Sequence, residues 1–107
     1  MVKHLVFWKL KDNALGRDKA ANALLIKQEL EALKGKIPGL LKIEVGLDFM
    51  KGETSSDVAL YTELESREAL TAYIAHPLHK AAGGAFKEAI AERRSVDYET
   101  DPITLRA

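Results

Sequence analysis

Hydrophobic and polar positions alternate in several short stretches of the chain, which predicts β-strands. In residues 2–10 (VKHLVFWKL), both faces carry apolar side chains at their centre, Val6 and Trp8 on one and Leu5 and Phe7 on the other. We therefore expect both faces of this strand to be covered by other parts of the structure. Further strands are predicted at residues 41–49, 57–64 and 95–99.

Between these strands the apolar positions recur every three or four residues, which is typical of amphipathic helices. The first helix is predicted over residues 17–36, with Gly35 at its C-terminal end. A second, short helix follows Ser66, whose hydroxyl can cap it. Pro77 suits the first position of a third helix, which is predicted to extend to about Arg93. Two consecutive glycines interrupt this third helix, and close backbone packing is the expected reason.

The order of elements is therefore β-α-β-β-α(α)-β, which is the ferredoxin-like pattern of the α+β class. Right-handed crossovers would fold the four strands into an antiparallel sheet with the helices on one face. The opposite face would be bare, although the first strand is apolar on both sides. We therefore expect a homodimer formed through the sheet faces. The 107 residues are predicted to form one domain, with a core at about 2–99 and a tail at 100–107.

Composition argues against several classes of function. The chain has sixteen basic and sixteen acidic residues, so its net charge gives no support for a nucleic-acid partner or an anionic membrane. Cysteine is absent, which excludes disulfides, thiol catalysis and thiolate metal sites. No apolar run is long enough for a membrane helix and no signal-peptide pattern is present, so we expect a cytoplasmic protein without a membrane partner.

Candidate chemistry is concentrated in residues 73–80 (YIAHPLHK), which contain two of the three histidines and a tyrosine. His79 falls in the first turn of the helix that begins at Pro77, where the helix dipole disfavours imidazolium. A neutral histidine beside the Tyr73 hydroxyl could remove a proton next to a carbonyl while the phenol stabilises the oxygen. The alternative is that His79 only packs a strand–helix junction and that Tyr73 is a core residue whose hydroxyl is satisfied at the edge.

The other two histidines have simpler interpretations. His76 directly precedes a proline and is expected to leave helical geometry, as a cap or junction residue. His4 lies on the face of Val6 and Trp8, where it could contact a ligand or be a hydrogen-bonded core residue. His76 and His79 are three residues apart, but no acidic residue is placed to complete a metal site, so no metal and no other cofactor is expected.

Several segments together resemble the stress-responsive A/B barrel (Dabb) family. They are residues 2–10, residues 33–40 (LKGKIPGL), residues 61–70, the motif Tyr73…His76-Pro77-Leu78-His79, and Val96-Asp97-Tyr98. The resemblance extends over about residues 2–99 in the expected order. It implies a ferredoxin-like protomer that pairs into an α+β barrel dimer.

The resemblance also implies candidate site residues. One resembling protein is a plant polyketide cyclase that closes an aromatic ring by aldol condensation. There, the tyrosine and the second histidine of the motif carry the chemistry, and a histidine of the first strand lies in the same pocket. By motif position these residues are Tyr73, His79 and His4. The first helix offers Ile26 and Leu30 towards the expected cavity, where that cyclase is aromatic, so a different substrate is expected.

Three hypotheses follow. In the first, the protein is a small homodimer whose helix–sheet cavity binds a small apolar molecule through residues that include His4, Val6, Trp8, Ile26 and Leu30. In the second, it is a cyclase, lyase or isomerase acting on a ketide-like or other carbonyl compound, with His79 as the base and Tyr73 as the hydrogen-bond donor. In the third, it is a structural or interaction protein whose histidines only pack.

Overall fold

The fold is built on one four-stranded sheet with helices packed against it. The computed structural model describes residues 1–100, and the predicted tail beyond Thr100 lies outside the described residues. The elements are β1 (Val2–Leu10), β2 (Asn13–Ala14), β3 (Arg17–Asp18), α1 (Lys19–Glu31), β4 (Leu40–Leu47), β5 (Val58–Leu64), α2 (Arg67–Ala75), α3 (Pro77–Phe86), a 3-10 turn (Lys87–Ala89) and β6 (Ile90–Glu99).

The main sheet has the strand order β4-β5-β1-β6, and all neighbours are antiparallel. Its inner face packs against the helices in one core cluster that joins Val6 and Leu60 to Ile26 of α1, Tyr73 of α2 and Phe86 of α3. The ferredoxin-like α+β fold with helices on one face is thus confirmed. β2 and β3 form a small separate hairpin that the sequence pattern did not predict.

The first helix is shorter than predicted. Asp18 caps its N-terminus by accepting a hydrogen bond of 2.8 Å from the amide of Ala21. After Ala32 the backbone tightens into turns, in which the amides of Leu33, Lys34 and Lys36 bond the carbonyl three residues earlier. Leu33 and Ile37 still pack into the core, so the apolar spacing was a correct guide to burial but not to the end of the helix.

His76 separates α2 from α3 as the sequence predicts. Its backbone is extended, at φ −64° and ψ 136°, because the following Pro77 disfavours helical geometry there. Its Nδ1 accepts a hydrogen bond of 3.1 Å from the amide of Leu78 and so caps α3. The predicted capping role of His76 is confirmed, and the two helices meet at a fixed corner.

The prediction that the third helix extends to about Arg93 was wrong. The helix ends at Phe86, and from Ile90 onwards the chain pairs with β1, so that Arg93 lies opposite Trp8. Alanine, glutamate and arginine favour helices locally, but pairing along the whole of β1 satisfies the backbone groups of the central strand. β6 therefore begins five residues earlier than the predicted strand, which began at Ser95.

The predicted strand at residues 41–49 was also too long at its end. Ile43 and Val45 are buried as expected, but β4 ends at Leu47 and Phe49 lies outside it with 88% of its surface exposed.

Among residues 1–100 no helix is long and apolar enough to cross a membrane.

Candidate functional site

A cavity of about 450 Å³ opens between α3 and the inner face of the sheet. Strands β1, β5 and β6 form one wall, and α1, α3 and the 3-10 turn form the other. Its lining residues are His4, Val6, Trp8, Leu30, Leu60, His79, Gly83, Phe86, Lys87, Ile90 and Arg93. Most of these are apolar, so the cavity offers a hydrophobic body with a few polar groups, as small-molecule sites commonly do.

The structure brings the three predicted polar residues together at one side of this cavity. The ring centroids of Tyr73 and His79 are 4.6 Å apart in an edge-to-face arrangement, and those of His4 and Tyr73 are 6.1 Å apart. They come from three different elements, β1, α2 and α3. His4 and His79 line the cavity, whereas Tyr73 is fully buried behind them.

Two polar atoms of this group have no hydrogen-bond partner among residues 1–100. They are the hydroxyl of Tyr73 and Nδ1 of His79, and both are buried. A buried polar atom without a partner is destabilising, so such atoms are rare in folded proteins and are often functional. The pair therefore has unused hydrogen-bonding capacity beside a cavity.

Burial also sets the protonation states of this pair. Burial raises the pKa of the Tyr73 hydroxyl to about 12, which keeps the phenol protonated at neutral pH. Burial lowers the pKa of His79 below its usual 6.5. The backbone of Ile74, near the ring but not hydrogen-bonded to it, opposes this, and His4, Arg93 and His76 lower the pKa further by smaller amounts. His79 is thus a neutral imidazole at neutral pH, and it can accept a proton.

Asp97 is a member of the site that residue-by-residue reasoning missed. His4 Nδ1 donates a hydrogen bond to Asp97 Oδ1, and the two residues are directly opposite in the pairing of β1 with β6. A carboxylate only accepts hydrogen bonds, so it fixes the ring orientation, and in the neutral ring it leaves Nε2 as an acceptor. The alternation of the last strand contained the signal, since Val96 and Tyr98 on one face place Asp97 on the other.

Three of the four apolar residues predicted to contact a ligand line the cavity, and one does not. Val6, Trp8 and Leu30 line the cavity, and Trp8 packs edge-to-face on Phe86 with ring centroids 5.7 Å apart. Ile26 does not line it, because it is fully buried in the core. The face of α1 that meets the cavity is therefore offered by Leu30.

Gly83 gives the cavity part of its space. It lies on the cavity wall, and a Cβ built there would meet no atom within 4 Å. The same holds for Gly84, which is exposed to solvent. Close backbone packing, the reason expected for this glycine pair, is therefore wrong, and at Gly83 the missing side chain leaves the cavity open.

Lys87 and Arg93 were not predicted as site residues. The sequence placed Arg93 at the end of the third helix, but as a residue of β6 it lies on the inner face of the sheet, opposite Trp8. Both cations line the cavity. Among residues 1–100, no set of three or more histidine, aspartate or glutamate side chains is placed to hold a metal ion.

A second, larger groove lies next to the end of β1, near Leu10 and Leu47. Its volume is about 760 Å³, and its lining mixes both signs of charge, with Lys9, Lys19 and Lys51 beside Asp48 and Asp57. The carboxylate of Asp57 accepts a hydrogen bond of 2.8 Å from the amide of Leu10, which is a structural role. None of the predicted site residues lies there.

The sequence model of the Stress responsive A/B Barrel Domain family matches residues 2–100. The chain belongs to this family. An uncharacterised protein of Streptomyces coelicolor is 31% identical over 99 residues, which are 92% of this chain and 99% of that protein. Membership confirms the family resemblance of the sequence segments.

Solved structures agree with the family. A dimeric protein of unknown function and ferredoxin-like fold from Bacteroides fragilis is 39% identical, with a TM-score of 0.82 over 92% of this chain and 95% of that chain. The hydroxynitrile lyase of Passiflora edulis, at 15% identity, has a TM-score of 0.77 over 94% of both chains, which shows a shared fold alone. One similar protein of known structure is thus dimeric, and the same fold occurs in a hydroxynitrile lyase.

Proposed function

We propose that this stress-responsive A/B barrel protein binds a small, largely apolar molecule in the cavity between α3 and the sheet. The observation that carries the proposal is the cavity itself, with apolar walls and a His4–Tyr73–His79 cluster at one side. Filled cores leave few voids larger than a water molecule, so a space of about 450 Å³ beside unpartnered polar atoms favours a ligand site over packing alone.

The glycine pair of α3 provides the test of binding. Gly83→Leu would fill the cavity, whereas Gly84→Leu adds the same side chain, and the same gain in helix propensity, on the exposed side. We expect 1-octanol to bind the unchanged protein and Gly84→Leu in calorimetric titration, and to raise their melting temperatures. Gly83→Leu should lose this binding. Equal binding by both leucine variants, or no binding by the unchanged protein, would disprove the proposal.

A catalytic role is the second candidate, and the unpartnered Tyr73–His79 pair favours it. A neutral His79 would take a proton from the carbon next to a carbonyl, and the electron pair of the broken C–H bond would move onto the carbonyl oxygen. Tyr73 would donate a hydrogen bond to that oxygen, which requires the bound molecule to reach the phenol behind the cavity wall. The lyase of the same fold supports this candidate only by analogy of fold.

One variant separates binding from catalysis. His79→Ala should keep most of the 1-octanol binding, since the apolar walls remain. If the protein is an enzyme acting on carbonyl compounds, the same variant should lose turnover of any such substrate found.

We further propose that the protein is a homodimer joined through the outer face of the sheet. Leu5 and Phe7 of β1 lie on that face and are partly exposed, and Val96 and Tyr98 of β6 beside them are 47% and 44% exposed. The dimeric relative from Bacteroides fragilis supports pairing. A cytoplasmic location stays a prediction from the sequence.

A further inference from the structure

Charge is distributed differently in the cavity and in the larger groove described above. The groove near Asp57 is lined by acidic and basic side chains together. Within residues 1–100, the cavity is lined by Lys87 and Arg93 and by no carboxylate. Because the chain carries equal numbers of acidic and basic residues, this one-sided lining is not a consequence of its overall composition.

Neither cation is neutralised by a neighbour within residues 1–100. No aspartate or glutamate oxygen of this part of the chain lies within 4.0 Å of the Lys87 ammonium or the Arg93 guanidinium. The polar contacts of the Arg93 side chain there amount to a long one, from Nη1 to Ser95 Oγ at 3.5 Å. The nearest carboxylate on the same face of β6 is Asp97, which is engaged by His4.

The position of Arg93 makes its charge relevant to the cavity. It lies opposite Trp8, on the same face as the apolar wall. Its charge also acts on His79, since it contributes to the lowered pKa of that ring. Arg93 is itself exposed at the rim of the cavity, and a guanidinium presents paired N–H donors that match the two oxygens of a carboxylate.

We infer that the ligand of this cavity is a small organic anion, with an apolar body against Val6, Trp8 and Leu30 and a carboxylate held by Arg93 and Lys87. The inference rests on the proposed function and names the class of ligand for that same site. It predicts that the cavity discriminates between molecules of equal apolar length by their charge.

Octanoate and 1-octanol form a matched pair of probes, because they share an eight-carbon body and differ in the charged end. We expect octanoate to bind the unchanged protein about tenfold more tightly in calorimetric titration. Added sodium chloride should weaken octanoate binding and leave 1-octanol binding nearly constant.

Adjacent arginines of β6 provide the control. Arg93→Gln should remove most of the preference for octanoate while 1-octanol binds as before. Arg94→Gln makes the same change of charge on the opposite face of the sheet, where the residue is paired with Phe7, and it should keep the preference. Both variants are first checked for an unchanged melting temperature and an unchanged mass in light scattering.

The outcomes separate the inference from the proposed function. If 1-octanol and octanoate bind equally, or if both glutamine variants lose the preference alike, the anion inference is overturned and the apolar site stands. If neither probe binds, the proposed function fails and the inference fails with it.

Discussion

The two faces of the central sheet differ in how completely their apolar side chains are covered. On the inner face the apolar side chains are covered by the chain's own helices, with Val6 and Trp8 of β1 buried. On the outer face their neighbours Leu5 and Phe7 are partly exposed, and Val96 and Tyr98 beside them are exposed. The same strand therefore offers a completed hydrophobic layer on one side and an incomplete one on the other.

Two tyrosine hydroxyls show the opposite contrast between the faces. On the outer face, the Tyr61 hydroxyl donates a hydrogen bond of 2.6 Å to Glu63, and the ammonium groups of Lys3 and Lys42 lie 5.8 and 5.6 Å from its ring centroid. On the inner side, the Tyr73 hydroxyl has no partner among the described residues. The outer face, with exposed apolar side chains and a hydrogen-bonded tyrosine, suits association with a second protein copy. The inner face, with covered apolar side chains and a tyrosine hydroxyl without a partner among the described residues, suits a small bound molecule.

The largest expected effect comes from the outer face. Phe7→Glu should convert the proposed dimer to monomers, because a two-fold interface would bury two added carboxylates close to each other. We expect at least a hundredfold weaker association, about 3 kcal/mol, with the helical and strand content of the protomer preserved. Light scattering after gel filtration measures the mass, and circular dichroism measures the fold.

A matched substitution away from the sheet controls for added charge. Leu24 is a half-exposed leucine of α1, on the solvent side of the helix layer. Leu24→Glu should leave the mass unchanged. If Phe7→Glu remains a dimer, the outer face is not the interface.

Two tyrosines allow the contrast in polar groups to be measured directly. Tyr73→Phe removes a buried hydroxyl without a partner and should raise the free energy of unfolding by about 1 kcal/mol. Tyr61→Phe removes a hydroxyl that is hydrogen-bonded to Glu63 and should lower it slightly. Urea denaturation of both variants measures the two signs. A loss of stability in Tyr73→Phe would mean that the Tyr73 hydroxyl has a hydrogen-bond partner in solution. The two tyrosine hydroxyls would then not differ in hydrogen bonding.

Local patterns in the sequence predicted most of this architecture because they reflect burial directly. Alternation in residues 2–10 predicted both faces of β1, and Pro77 predicted the corner that brings His79 towards Tyr73. The position of Lys87 and Arg93 at the cavity could not be predicted in the same way. Its position depends on where α3 ends, and pairing with β1, distant in sequence, decides this against the local helix preference of residues 87–93.

The smallest expected effect is the pH dependence that His79 contributes on the inner face. Because burial lowers its pKa in the folded protein below 6.5, the unfolded chain binds a proton more readily. The stability linked to neutral His79 is therefore fully present above pH 6.5 and is lost as the pH falls through the lower folded value. Urea denaturation should show that the free energy of unfolding decreases as the pH is lowered from 7.5 to 5.5. In His79→Gln this decrease should be less steep. Tyr73→Phe retains the histidine and should keep the steeper slope. Equal slopes in the unchanged protein and in His79→Gln would mean that His79 is already solvated. His79 would then no longer count as an unsatisfied polar group of the inner face.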